Sequence, residues 1–551
     1  MYLDARSAFD LALREFIINN LYDCGVQGQG LILIDQRLKN RQTVCEWDKT
    51  MMGPILDECG VEQGGINSSD FYKIYNNEQL NLAQQSGFGV PIGPYVVSAI
   101  GQADDVALLS NDLHALQGLV DLAIYYCEKY HVLLSTEKTK LQVYSCKSSE
   151  IEAFLAQATS LLNMDGKPLQ FVDEAEHVGV LRSTAGNLPH LLSRFVSHRK
   201  AMFGILPLGI AKANRGNPAA SLRAHTTYCS PVFFSGVATL LLNSSEVTML
   251  DQHYKVTIQR LQKLQDKTPH CAVMFLGGHL PGKAQLHLRI LSLFGMVSRL
   301  QGSFLNKIAV HQFLHVNVLA GSWFLQVRNL CIQYNLPSPI TLLQHPLNKY
   351  SYKKLIKSRV IDFWETHLRA EALELREHSL KYFKAEFMSL SKPHLLWSTC
   401  GSNPYEIHKA VIQARMLSGR YITDQLSRHW TGNKLGLCSI PGCSGQELGS
   451  LEHILLSCPA LSEARQRISL LIQKVALECE DLRAVLQNAL NNQTAELIVQ
   501  FILDCSSLPA VILLNQNGGK PLVERLFYIG RTWCYSVHRS RMNKLGLSQY
   551  R

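Results

Sequence analysis

The chain has no apolar run near the ~20 residues needed to cross a bilayer; stretches such as Val237-Ala238-Thr239-Leu240-Leu241-Leu242 stop far short. Its first residues are equally poor in what a secretory leader needs, because Asp4, Arg6 and Asp10 interrupt the place of an apolar core. Closely paired cysteines are scarce. The 15 cysteines are an odd number, scattered singly apart from one close pair, which argues for reduced thiols and against a disulfide framework. These absences predict an intracellular protein with no membrane partner. Internal repeats and low-complexity tracts are missing too, which excludes a solenoid. Charged residues are sparse at 18% against 46% hydrophobic ones, so sizeable buried cores are expected and global disorder is not. A length of 551 residues predicts about three to five compact units. Lys and Arg outnumber Asp and Glu by 54 to 44, a formal +10 that suits a phosphate-backbone partner without requiring one.

What is present is a series of short acidic and glycine-rich segments within the first 105 residues: Leu3-Asp4-Ala5-Arg6-Ser7-Ala8-Phe9-Asp10, then Gly60-Val61-Glu62-Gln63-Gly64-Gly65-Ile66-Asn67-Ser68, then Gln102-Ala103-Asp104-Asp105. Tyr2-Leu3 reads as the end of a strand leading to Asp4, and residues 8–19 read as one helix. Residues 95–100 and 106–109 read as two short strands, with 101–105 between them as the loop of a β-hairpin. Adjacent carboxylates repel each other and push one toward protonation unless a cation compensates, which a divalent metal does. Two Mg²⁺ ions about 4 Å apart serve phosphoryl transfer, held by carboxylates and substrate phosphates. On this reading Asp4 and Asp104 are the bridging catalytic ligands. Asp105, alternating in direction from Asp104, is the weaker third ligand, and Asp10 is structural.

A second constellation lies far downstream: Cys438-x4-Cys443-x9-His453-x4-Cys458. Three thiolates and an imidazole make a closed tetrahedral Zn²⁺ site. Pro441-Gly442 supplies a turn between the first two cysteines, and His453 opens a short helix-like segment stopped before Pro459.

The three amino-terminal segments, in this order, resemble the palm motifs of reverse transcriptases, and the Ala-Phe-Asp ending of the first is similar to that of LINE-type (non-LTR) retrotransposons. The resemblance implies an RNA-directed DNA polymerase using magnesium, with template RNA, primer or target DNA and deoxynucleotide triphosphates as partners. It implies that Phe9 is the steric gate against a ribose 2′-hydroxyl and that Gln63, Gly64 and Ser68 meet the incoming nucleotide. Lys138-Thr139 matches a fourth motif, with Lys138 as general acid toward pyrophosphate, and His177-Val178-Gly179-Val180 resembles the primer-grip hairpin. Gln102, Glu62, Ser69 and Ser135 depart from the family's usual residues. Glu62 reverses a charge beside the expected nucleotide pocket. The stretch Ile412-Gln413-Ala414-Arg415-Met416-Leu417-Ser418-Gly419-Arg420-Tyr421, then His429-Trp430 and the Cys-Cys-His-Cys set, is similar to the C-terminal region of LINE-type polyproteins. A nuclear or cytoplasmic ribonucleoprotein location follows from the same resemblance.

The expected fold is α+β: a palm with an antiparallel sheet and helices, then a mostly helical thumb and C-terminal region with a small zinc element. The expected division is 1–189 palm, 190–265 thumb-like helices, 266–400 helical connector, 401–470 zinc-binding region and 471–551 basic helical region. In the thumb, Arg194, His198, Arg199, Lys200, Lys212, Arg215 and Arg223 are candidate phosphate contacts. Arg415, Arg420, Arg428, His429, Arg525, Arg531, Arg539, Arg541 and Lys544 are candidates around the zinc element. Residues 151–162 read as a helix, 164–168 as a turn and 169–172 as a strand. With its start at the first palm motif, the chain is expected to lack the family's fingers and endonuclease and to polymerise poorly. The alternative is a non-catalytic nucleic-acid-binding remnant of such a protein. A group II intron maturase is a more distant third.

Overall fold

The structure, a computed structural model, describes residues 1–551 except 40, 145–153, 155–157, 159–160, 165, 209–215, 316–320, 429–431, 479–482, 484–493, 517–518 and 548–551. Most of the helix expected over 151–162, together with Asp165, Lys212, Arg215, His429 and Trp430, therefore lies outside the described residues. The chain is α+β and forms two compact units. One comprises Met1–Leu192 with Gly302–Asn317, the other Ser193–Gln301 with Val318–Arg551.

The first unit holds thirteen described strands: β1 (Tyr2–Leu3), β2 (Arg41–Trp47), β3 (Thr50–Asp57), β4 (Val90–Ile92), β5 (Tyr95–Val97), β6 (Ala99–Gln102), β7 (Asp105–Leu108), β8 (Lys140–Leu141), β9 (Asn163–Met164), β10 (Lys167–Pro168), β11 (Gln170–Phe171), β12 (Glu174–His177) and β13 (Val180–Ser183). Five of them make one sheet in the order β11-β8-β1-β7-β6. The sheet is mixed, not purely antiparallel as expected, because β11 runs parallel to β8. The other strands pair two by two as hairpins.

The helix Leu113–Tyr130 packs on this sheet. Asp112 caps it by accepting the Ala115 N–H at 2.8 Å, and His131 ends it at φ 53°. Its buried positions recur at three- and four-residue spacing, so one face is apolar throughout. Leu116, Leu119, Val120 and Ala123 join Leu3, Val106, Leu108 and Leu141 of the sheet in one core. Farther along, Tyr126 and Tyr130 enter a second core with Tyr72 and Tyr75 of the helix Ser68–Gln85 and Ile17 and Leu21 of the helix Arg14–Asp23.

Two elements differ from the sequence expectation. Residues 8–19 are not one helix but two, Ala8–Leu11 and Arg14–Asp23, because Ala12 and Leu13 are extended, with ψ 124° and 117°. Residues 95–100 are not one strand. Ser98, fully buried, turns its hydroxyl to the Phe88 carbonyl, and the chain changes partner there, from β4 to β7.

The second unit is helical. Its longest helices include Ser244–Leu261, Gly282–Arg299, Lys349–Glu374 and Lys520–Lys544. Asn243 and Glu246 form a capping box at the start of the first. Lys520–Lys544 approaches Ala495–Leu503 closely at Gly530, where a Cβ would lie 2.6 Å from the Ile502 carbonyl oxygen. Among the described residues, no helix is long and apolar enough to cross a membrane.

Candidate functional site

In the first unit the register sets the geometry. β1 pairs antiparallel with β7, Leu3 opposite Val106, so one residue farther along Asp4 comes to face Asp105. Gln102 pairs with Asp105 to close the β6–β7 hairpin, which leaves a two-residue turn, Ala103-Asp104, tighter than the five-residue loop expected. Ala103 takes φ 56°, as the hairpin turns that match strand twist require at their first central residue. Asp104 is partly buried and Asp105 exposed. Burial raises the Asp104 pKa most, its own backbone N–H opposes that, and the charges of Asp105 and Asp4 raise it further.

The segment containing Lys138 clasps Asp4. Ser135 donates its N–H to the Asp4 carbonyl at 2.8 Å, and the Asp4 N–H reaches the Thr139 hydroxyl at 3.4 Å. Thr139 is wholly buried, so its part is structural. Lys138 projects outward, with Nζ 3.8 Å from Asp4 Oδ2. That oxygen is buried and has no hydrogen-bond partner, as a carboxylate oxygen fit for a cation should be. The hairpin β12–β13 turns at Val178-Gly179 (φ 51° and 70°), and the charge of Asp105 acts on His177, whose pKa burial lowers.

The glycine-rich segment is strapped to the first motif. Gly60 donates to the Ala12 carbonyl and Val61 to the Phe9 carbonyl, both at 2.8 Å. Arg14 adds three bonds, to the carbonyls of Asp57, Cys59 and Gly60 at 2.6, 2.8 and 3.0 Å. A Cβ on Gly60 would meet the Asp10 carbonyl oxygen at 2.5 Å, at φ +82°, so only glycine fits this close approach. Beyond the strap, Gln63 and Gly64 are exposed, and buried Ser68 opens the helix Ser68–Gln85. Phe9 stacks on Tyr72 of that helix, with centroids 4.9 Å apart and planes at 21°. Tyr72 in turn feels Asp104: burial raises its phenol pKa first and the Asp104 charge next. Glu62 pairs with Arg37, 3.3 Å away.

In the second unit Cys438, Cys443, His453 and Cys458 converge, each offering a ligand atom within 4.8 Å of the others. Cys438 and Cys458 sulfurs are 3.9 Å apart, near the ~4 Å that Zn–S bonds of ~2.3 Å imply. Cys443 Sγ lies 3.5 Å from His453 Nε2. The wide His-x4-Cys spacing has a backbone cause. Residues His453–Ser457 form a π-helical turn, and the Cys458 N–H bonds to the His453 carbonyl at 2.8 Å, so residues five apart share one side. Burial pushes the Cys438 thiol up to about 12, whereas the Gly445 N–H, followed by His453, draws Cys443 down to about 7. Asp424 braces the knuckle by accepting from the Ser439 hydroxyl at 2.6 Å. The four residues can bind a metal such as zinc.

Several basic residues named from sequence point inward. Arg415 donates to the Lys263 carbonyl at 3.1 and 2.9 Å, Arg531 to Glu406 at 2.7 Å, and Arg541 to the Ile422 carbonyl at 2.7 Å. They hold the helices of the second unit together and are not free for phosphate. His198 is buried between His253 and His225. Arg199, Lys200, Arg223, Arg525, Arg539 and Lys544 are exposed. Residues that sequence reasoning missed include Glu447, which lies against His453, and Asn76, which bonds to the carboxylate turn; neither belongs to a motif with readable spacing.

No family model matches the chain, and no curated protein matches it.

Proposed function

We propose that the chain is the reverse-transcriptase portion of a non-LTR retrotransposon protein, adding deoxynucleotides to a primer 3′-hydroxyl on an RNA template. The observation that carries this reading is the meeting of Asp4, at the end of β1, with Asp105 at the start of the adjacent β7 and Asp104 in the turn before it, with Asp4 Oδ2 buried and without a hydrogen-bond partner. Residues 1–189 then serve as palm, 190–265 as thumb and 401–470 as a zinc-bearing nucleic-acid contact. Asp4 and Asp104, with Asp105 beside them, would hold magnesium, which when bound lowers the barrier to attack by the 3′-hydroxyl and neutralises the leaving pyrophosphate. Lys138, beside Asp4, would carry a proton toward that leaving group. Phe9, backed by Tyr72, would exclude a 2′-hydroxyl, and Gln63, Gly64 and Ser68 would border the nucleotide. The exposed cations of the second unit would hold template RNA and target DNA through their phosphates.

The test is primer extension on an RNA template with deoxynucleotides and Mg²⁺, comparing the chain with Asp104→Asn. Extension abolished by Asp104→Asn supports the polymerase. Absence of Asp104-dependent extension, with salt-sensitive RNA binding retained, replaces it with the binding remnant.

A further inference from the structure

The helix Ser68–Gln85 presents Ser68, Tyr72, Asn76 and Leu80 at four-residue intervals, hence on one stripe. Ser68 belongs to the glycine-rich segment, Tyr72 stacks on Phe9, and Leu80 lies under β6, where a Cβ on Gly101 would be 3.1 Å from its methyl carbon. Asn76 falls between. It is 5% exposed, and its Nδ2 donates to the carbonyl of Ala103 at 2.9 Å.

That carbonyl belongs to the most constrained residue of the hairpin. Ala103 sits at φ 56°, where a Cβ is disfavoured and glycine is the usual occupant. A residue in such a conformation persists when its surroundings over-determine it. The hairpin supplies only the Gln102–Asp105 pairing on the near side of the turn. Asn76 supplies a fixed donor from a packed helix on the other.

We infer that Asn76 is a positioning residue for Asp104: its amide holds the Ala103-Asp104 turn in the conformation that sets the Asp104 carboxylate beside Asp4. The inference rests on the polymerase reading for its catalytic meaning, but its structural content can be tested separately.

The experiment compares the full chain with Asn76→Leu, Asn76→Leu/Ala103→Gly and Asp104→Asn. Hydrogen exchange is followed by mass spectrometry over residues 99–108, and Mn²⁺ affinity by electron paramagnetic resonance. Leucine keeps the buried volume and removes the donor. Asn76→Leu should speed exchange of the hairpin amides about fivefold to tenfold, the range that loss of one hydrogen bond produces, and weaken Mn²⁺ binding by a similar factor. Exchange in Leu113–Tyr130 should not change. Ala103→Gly should restore both readouts, because glycine adopts this φ without strain; a merely structural role for Asn76 would not be rescued there. Unchanged hairpin exchange in Asn76→Leu, or failure of Ala103→Gly to rescue, overturns the inference. If exchange responds and is rescued while Mn²⁺ binding is indifferent to Asp104→Asn, the positioning role stands and the polymerase reading falls.

Discussion

His453 Nδ1 lies 2.6 Å from Glu447 Oε2. The contact fixes the imidazole tautomer, since an N–H on Nδ1 leaves Nε2 free to face Cys443 and any bound metal. Carboxylate partners of this kind orient a histidine ligand and raise its basicity.

Glu447→Ala should therefore weaken zinc binding about 10- to 100-fold while leaving all four ligands in place. Competition with a fluorescent zinc chelator measures this directly. Unchanged affinity would reduce Glu447 to a surface residue, consistent with the exposure of more than half its side chain.

Gly60→Ala should destabilise the first unit by about 2–4 kcal/mol, because its Cβ would strike the Asp10 carbonyl at an already strained φ. Gly64→Ala, at φ +84° with nothing within 4 Å, should cost only about 1 kcal/mol. Denaturant unfolding of the two variants checks the contrast, and equal losses would remove the argument for a tight strap between the motifs.

His198 bonds through one nitrogen to His253 at 3.1 Å and through the other to His225 at 3.0 Å. Burial lowers all three, His198 and His253 to about 4 and His225 to about 3, with Arg199 and Arg260 acting further on His253 and His279 on His225. Their folded pKa values lie below the unfolded ~6.5, so between these limits the unfolded chain binds more protons. The stabilisation is thus complete above about pH 6.5 and is lost as pH falls toward 4. For His198 alone the loss is on the order of 3 kcal/mol. The melting temperature of the second unit should fall over that window, and His253→Gln should flatten the decline. A pH-independent melting temperature from 7 to 4.5 would contradict it.

Phe9→Ala should relax discrimination between deoxynucleotides and ribonucleotides at least severalfold wherever extension is observed, because the ring removed is one that Tyr72 holds flat. The measured quantity is the ratio of kcat/KM for the two sugars. An unchanged ratio with lowered stability would return Phe9 to core packing.

Several groupings were readable from sequence: Asp4, Asp104 and Asp105 as neighbouring carboxylates, the hairpin that carries two of them, and the four Cys and His residues that converge where a metal can bind. Local chemistry sufficed there, because a turn, a strand end or a Cys-His spacing is written in adjacent residues. The parallel pairing of β11 with β8 was not readable, since period-two patterning is the same for either strand direction. Neither was the break at Ser98, which depends on a hydroxyl meeting the Phe88 carbonyl.

Burial of charge was the least legible property. Arg415, Arg531 and Arg541 read as surface cations, yet each is held by a carbonyl or carboxylate from a distant segment. The sequence alone determined which chemical groups are available and in what order. Tertiary structure decided which face one another, through the β1–β7 register that sets Asp4 opposite Asp105, the Gly60 contact with Asp10 and the Asn76 bond to Ala103. The physical reason is that each of these contacts joins residues from tens to about a hundred positions apart, and only packing brings such partners within hydrogen-bond or van der Waals range.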